Sequence, residues 1–133
     1  MNYWFMPCNT KKFDICEHFK QSAVFYWRPR RPYSEGDNVY LYLTAPDSQI
    51  KYRCVVLDAH VGRTEVEECG AYALKLEAFR YIKLELAEEY PDSLFPLKEL
   101  TSNGLGTTQS QCSMPRKTLS YMQRKIAQMN ANE

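Results

Sequence analysis

Directly after Trp27 stand Arg28, Arg30 and Arg31, in a loop "RPRRPYSEGD" whose prolines Pro29 and Pro32 limit its conformations. Guanidinium groups are planar forks that grip phosphate oxygens, and such contacts position a bound strand without reading its sequence. Three arginines in a surface loop read equally as a solvated face. Trp27 also has two readings, as packing at a strand end or as a ring left over for a stacking ligand. Asn9 carries a donor and an acceptor, and Ser48 an adaptable hydroxyl, the groups that meet a polar ring edge. Asn9 fits equally well as a loop residue capping its own backbone, and Ser48 as a turn residue. Lys11, Lys12, Arg116 and Lys117 are supplementary cations.

Other chemistries find less support. His18 and His60 have no Cys or carboxylate at metal-ligand spacing, so no metal is expected. The five cysteines, Cys8, Cys16, Cys54, Cys69 and Cys112, form an odd set without a C-x-x-C pair, which disfavours a disulfide framework and points to a reducing cytoplasm. Cys8 would be a nucleophile only with a base beside it in space; a buried thiol is the simpler reading. No Ser-His-Asp order, G-x-S-x-G, P-loop or H-E-x-x-H occurs, and no cofactor motif is present.

A chain of 133 residues is long enough for one domain with a sizeable core. Lys and Arg number 17 against 16 Asp and Glu, so any attraction for a polyanion must come from a local cluster. The opening "NYWFM" lacks the basic and apolar regions of a signal peptide, and no run reaches the roughly eighteen apolar residues of a membrane span. A soluble cytoplasmic protein without membrane contact is expected. Ten tyrosines and a 14% aromatic content must be mostly core, since a small domain exposing so many rings would not remain the expected monomer, yet one or two rings can be spared for a ligand.

Tyr3 to Met6 reads as a strand ended by Pro7. Asp14 and Glu17 form a capping box for a helix from about Ile15 to Gln21, and Ala23 to Trp27 is a second strand. Asn38 to Leu43 and Ile50 to Leu57 are strands joined by the polar turn Ala45-Pro46-Asp47-Ser48, longer than a two-residue hairpin needs. Ala59 to Cys69 looks irregular. Leu74 and Leu76 alternate before Ala78-Phe79 break the phase, and Tyr81 to Leu86 reads as a strand. A short helix starts at Pro96 and stops at Gly104, and a Ser/Thr/Gln linker follows to Ser113. A last helix from near Pro115 carries an apolar stripe of Leu119, Met122, Ile126 and Met129. Five or six strands with three short helices make an α+β fold, either a strongly curved sheet or a small, partly open barrel.

In this order, "PCN", "FDI", a strand ending in Trp27, "GDNVYLYLTAPDSQIKYRCVV", "YIKLELAEEY", "LFPLKEL", "NGL" and a final P-R-K-x-L helix resemble the EVE domains of the PUA-like superfamily. The similarity covers nearly the whole chain, residues 1–133. The "GD-x-V-Y-x-Y" to "I-x-Y-x-C" segment is its most specific part.

The resemblance implies a small open PUA-like β-barrel flanked by helices that binds DNA or RNA. EVE domains are associated with modified bases, notably modified cytosine in DNA beside bacterial restriction functions, and the related YTH domains hold a methylated adenine in an aromatic cage. Matched by motif, Trp27 becomes a pocket wall, Pro7, Cys8 and Asn9 face the base, and Ser48 lies near the mouth, with Arg28, Arg30 and Arg31 on the flanking phosphates. The second aromatic of the YTH cage has no matching position. The reading that results is a non-enzymatic reader of one modified base. Related ASCH domains include small hydrolases of modified nucleosides, so an enzyme is the alternative, requiring a lysine to converge with a carboxylate or hydroxyl, Lys51 with Glu77 or Glu85 being the candidates. A protein-binding adaptor is the third reading.

Overall fold

A computed structural model describes residues 1–68 and 80–131. Six strands and four helices follow one another among them: β1 (Tyr3–Cys8), α1 (Ile15–Phe19), β2 (Val24–Trp27), β3 (Asn38–Leu43), β4 (Gln49–Gly62), α2 (Arg63–Glu68), β5 (Arg80–Glu89), α3 (Leu97–Ser102), β6 (Cys112–Ser113) and α4 (Arg116–Ala131). One mixed sheet runs in the order β2-β5-β4-β3-β1-β6, with β1 and β3 parallel and every other pair antiparallel.

Alternation along the strands divides the apolar residues between two cores. Trp4, Met6 and Cys8 of β1, Val39, Leu41 and Leu43 of β3, Phe25 of β2, and Ile82 and Leu84 of β5 fill the first, which Ile15 of α1 closes. Phe5, Tyr40 and Tyr42 point the other way into the second, where Leu100 of α3 and Met122 of α4 cover them. A bulge between Leu41 and Tyr42 pairs Tyr52 with the former and Ile50 with the latter, so Tyr52 enters the first core and Ile50 the second. One core holds residues of edge strand β2 together with residues of β1, which requires a strongly curved sheet. β2 and β6 remain separate edges, so the expected barrel is replaced by an open curved sheet.

Local signals explain most boundaries. Asp14 caps α1 by accepting the Glu17 N–H at 3.1 Å. Asn103 ends α3, and Gly104 at φ +100° supplies the left-handed residue that follows; a Cβ there would lie 3.3 Å from the Lys117 side chain. The α4 stripe faces the second core through Leu119, Met122 and Ile126.

Three expectations change. Pro7 does not end β1: β6 pairs only with Trp4 and Phe5, which leaves the outer flank at Pro7 open, the setting in which a strand tolerates proline. Ala59 to Gly62 continues β4 instead of being irregular, because Ala59 and Val61 alternate into buried positions and Val61 and Gly62 pair with Tyr81 and Arg80 at the start of β5; α2 then follows. Cys112–Ser113, read as the end of a linker, forms β6. Cys69, Leu74, Leu76, Ala78 and Phe79 lie outside the described residues.

Asp37, 1% exposed, ties the molecule together where β3 begins. One carboxylate oxygen accepts the Asn2 N–H at 3.0 Å; the other accepts the Trp4 indole N–H and the Ser34 N–H, both at 2.9 Å. Burial pushes its pKa up, but these three donors outweigh burial and hold it below the usual carboxylate value. A carboxyl with a depressed folded-state pKa contributes stability above its unfolded pKa, and that stability is lost as pH falls through the folded value. Asp37→Ala leaves three donors unmet and is expected to cost about 3 kcal/mol. Urea unfolding should show that loss, together with a decline of the wild-type protein below about pH 4 that is flatter in Asp37→Asn; equal stability of the wild-type and Asp37→Ala proteins at pH 7 would refute the assignment.

Candidate functional site

At the outer end of β2, Trp27 is half-buried and packs on the first core. The segment between β1 and α1 supplies its neighbour. Asn9 accepts the Lys11 N–H with its side chain at 3.0 Å, and its carbonyl accepts the N–H groups of Lys12 and Phe13, so the turn delivers Phe13 against the indole. The two ring centroids lie 5.8 Å apart at 41°. Phe25 meets the same indole edge-on at 6.1 Å. The ring series continues from Phe13 through His18 to Phe19, which stands edge-on to Phe25 and Tyr52. His18 Nε2 lies 2.7 Å from the Val24 carbonyl, a distance that requires Nε2–H and joins α1 to β2. Phe13, Phe19 and Trp27 are all half-buried and pack against the first core, so this layer lies between that core and solvent. It is an aromatic shelf on the rim of the first core.

Cys8 lies beneath it, 0% exposed. Burial first, then neighbouring Cys16 and Asp14, push the thiol up to about 12, as suits a thiol packed in the core. Pro7 alternates to the opposite face of β1, level with Tyr42. Ser48 belongs to that side too: its carbonyl accepts the Leu97 N–H at 2.9 Å, and its hydroxyl is near enough to influence the Tyr42 phenol. The fold therefore brings Trp27, Cys8 and the Asn9 turn together and places Pro7 and Ser48 with the second core. The long β3–β4 turn has a structural cause. Beside Ser48, Gln49 accepts the Ser93 N–H and Ile50 donates to the Phe95 carbonyl, so the turn receives the chain that leads into α3.

The arginine loop is fastened by a residue that no sequence signal marked. Gln111 stands just before β6 and is 7% exposed. Its side-chain oxygen accepts the Arg30 N–H at 2.8 Å and the Tyr33 hydroxyl at 2.7 Å, while its amide donates to the Arg28 carbonyl at 3.1 Å. Arg31 Nε donates to the Gln111 carbonyl at 2.9 Å. Tyr33 in turn packs 5.0 Å from Trp4. Arg28 is half-buried, whereas Arg30 and Arg31 are exposed.

Among the described residues, the lysine–carboxylate pair considered for catalysis, Lys51 with Glu85, does not assemble. Lys51 is paired with Asp92 at 2.8 Å, Glu85 is exposed on β5, and Glu77 lies outside the described residues. A different lysine meets a carboxylate and a phenol: Lys125 donates to Glu99 at 2.6 Å, to the Leu94 carbonyl, and towards the Tyr121 hydroxyl at 3.4 Å. Three acceptors for three ammonium N–H groups describe a clamp between α4 and α3. Among the described residues, no group of three His, Cys, Asp or Glu side chains is placed to hold a metal ion, and no helix is long and apolar enough to cross a membrane.

No family model matches the chain, and no curated protein matches it by sequence. Solved structures do. A hypothetical protein from Leishmania major superposes with a TM-score of 0.67 at 17% identity, over 97% of each chain. ASCH from Zymomonas mobilis gives 0.64 at 11% identity, over 96% of this chain and 94% of its own. A protein from Rhodopseudomonas palustris gives 0.63 at 11% identity, over 94% and 92%. At such identities the likeness shows the fold alone, one shared with ASCH from Zymomonas mobilis, and it does not single out the EVE family.

The chain has two tryptophans, and they should differ in accessibility. Trp4 is 6% exposed with its N–H on Asp37, whereas Trp27 sits on the rim. Iodide should quench a share of the fluorescence that Trp27→Phe removes. Quenching that is unchanged by this substitution would show that the rim indole is shielded.

Proposed function

We propose that the chain is a nucleic-acid-binding module that accepts one unpaired base on the Trp27–Phe13 shelf, with the flanking phosphates held by the Arg28–Arg31 loop. The carrying observation is the covalent adjacency of a half-buried indole, backed by Phe13 at 5.8 Å, to a loop whose Arg30 and Arg31 side chains are exposed. Stacking on such rings is worth roughly 1–3 kcal/mol per base, enough to offset the few kcal/mol of unstacking when the base starts single-stranded. The near-neutral net charge suits this division, since cationic groups need only act locally. Likeness in fold to ASCH from Zymomonas mobilis supports a PUA-like nucleic-acid ligand.

In this reading the preferred base is a modified one, DNA or RNA. A methyl group lying along the apolar edges of Trp27, Phe13 and Phe19 contributes on the order of 1 kcal/mol, so discrimination by a methyl alone is modest. Asn9 is exposed at the rim, and its side-chain NH2 is the group to meet a base edge. Pro7 and Ser48 take no part in this contact, and Cys8 serves only as floor. In this reading the module is a binder: Lys51 is paired with Asp92, and Lys125 spends its donors on Glu99, Leu94 and Tyr121.

Anisotropy titrations with single-stranded oligonucleotides carrying cytosine, 5-methylcytosine, 5-hydroxymethylcytosine or N6-methyladenine test the proposal. Trp27→Ala should weaken binding roughly 5- to 150-fold, and one modified base should bind several-fold better than its parent. With about three phosphates engaged on a single strand, log K should fall against log salt with a slope of about −2. Binding equal for every oligonucleotide and unaffected by Trp27→Ala would refute it.

A further inference from the structure

Resting on the nucleic-acid reading above, we infer that Arg31 is the phosphate fork of this site and that Gln111 is the residue that positions it. Of the three arginines, Arg31 has the geometry of a pre-aimed ligand. Its Nε–H is fixed on the Gln111 carbonyl at 2.9 Å, which sets the plane of the guanidinium, while the side chain as a whole is exposed. An arginine tethered at Nε presents its two Nη groups outward as a fork, the shape that matches two oxygens of one phosphate. Arg28 is half-buried, and Gln111 holds Arg30 through its backbone N–H.

Gln111 does more than accept one bond. Its buried amide spans the loop from Arg28 to Tyr33, with the oxygen on the Arg30 N–H and the Tyr33 hydroxyl and the nitrogen on the Arg28 carbonyl. A single side chain thus fixes the loop on both sides of Arg31, and its own backbone then takes the Arg31 Nε–H. Pre-organisation of this kind removes the ordering cost that a flexible arginine meets on binding. The Trp27 ring leads straight into the fastened loop, so the spacing between shelf and fork is set before any ligand arrives.

A double-mutant cycle tests the inference on the full chain, with a single-stranded oligonucleotide as probe. Arg31→Lys keeps the charge but loses the fork, and should weaken binding about tenfold. Gln111→Leu should weaken it to a similar extent, and the double variant should be little worse than either single one. A role confined to stability would lower the melting temperature yet leave the affinity of the folded protein and the Arg31→Lys effect unchanged. Should Gln111→Leu fail to fold, Tyr33→Phe removes one of the bonds to the Gln111 oxygen and Gln111→Glu keeps that acceptor while losing the donor; both should show a smaller loss of the same kind, still coupled to Arg31. Additive effects, or full affinity in Arg31→Lys, would overturn the inference while wild-type binding and its loss in Trp27→Ala stand. A wild-type protein that binds no oligonucleotide would overturn the inference and the nucleic-acid reading together.

Discussion

The fold depends on one buried carboxylate. β1 and β3 are parallel neighbours, a pairing that no hairpin can make, and the 29 residues from Asn9 to Asp37 must leave and return before it closes. Asp37 meets that constraint by receiving donors from both sides of the junction: Asn2 and Trp4 at β1, and Ser34 on the returning loop. An ionised group buried to this degree is tolerated because each of its three donors is fixed by covalent or ladder geometry, so its satisfaction costs little further ordering. Burial of Trp4 against Tyr33 then becomes a consequence of where the carboxylate sits.

From there the constraint passes to the candidate site. The loop after Trp27 is held at its far end by Asp37 through Ser34, and along its length by Gln111. On the other side of the indole, the Asn9 turn and the His18 bond to Val24 hold Phe13 and α1 in place. Aromatic shelf and arginine loop therefore belong to one fixed rim. Charge plays a local part: with a net formal charge of +1, the protein as a whole exerts little pull on a polyanion, and the arginines matter by where they stand.

Much of this was legible in the residues. The Asp14 cap, the Gly104 stop, the stripe of α4 and the strands flanking the Pro46 turn are local signals, and local signals survive folding. The choice between a curved open sheet and a barrel was not, because closure depends on whether the outermost strands pair, and strand composition carries no information on that. Trp27 was found as an isolated ring. Phe13 was missed since nothing in "NTKKF" shows that the turn carries that ring back onto β2. Pro7 and Ser48 lie apart from Trp27 because strand alternation and the bulge at Leu41 and Tyr42 decide the faces, not nearness in sequence to a motif. Gln111 lies 80 residues from its partner Arg31 in a linker of ordinary polar composition, and contacts of that range leave no pattern in one chain.

The central claim is a location: the base lies on the rim built by Trp27 and Phe13. Ultraviolet crosslinking of a bound oligonucleotide carrying a photoreactive halogenated pyrimidine, followed by peptide mass mapping, reads that location directly. The account predicts adducts on Trp27 or Phe13 in the β2 and Asn9-turn peptides. Adducts confined to the opposite layer, on Phe95 or Tyr121 beside α3 and α4, would contradict it.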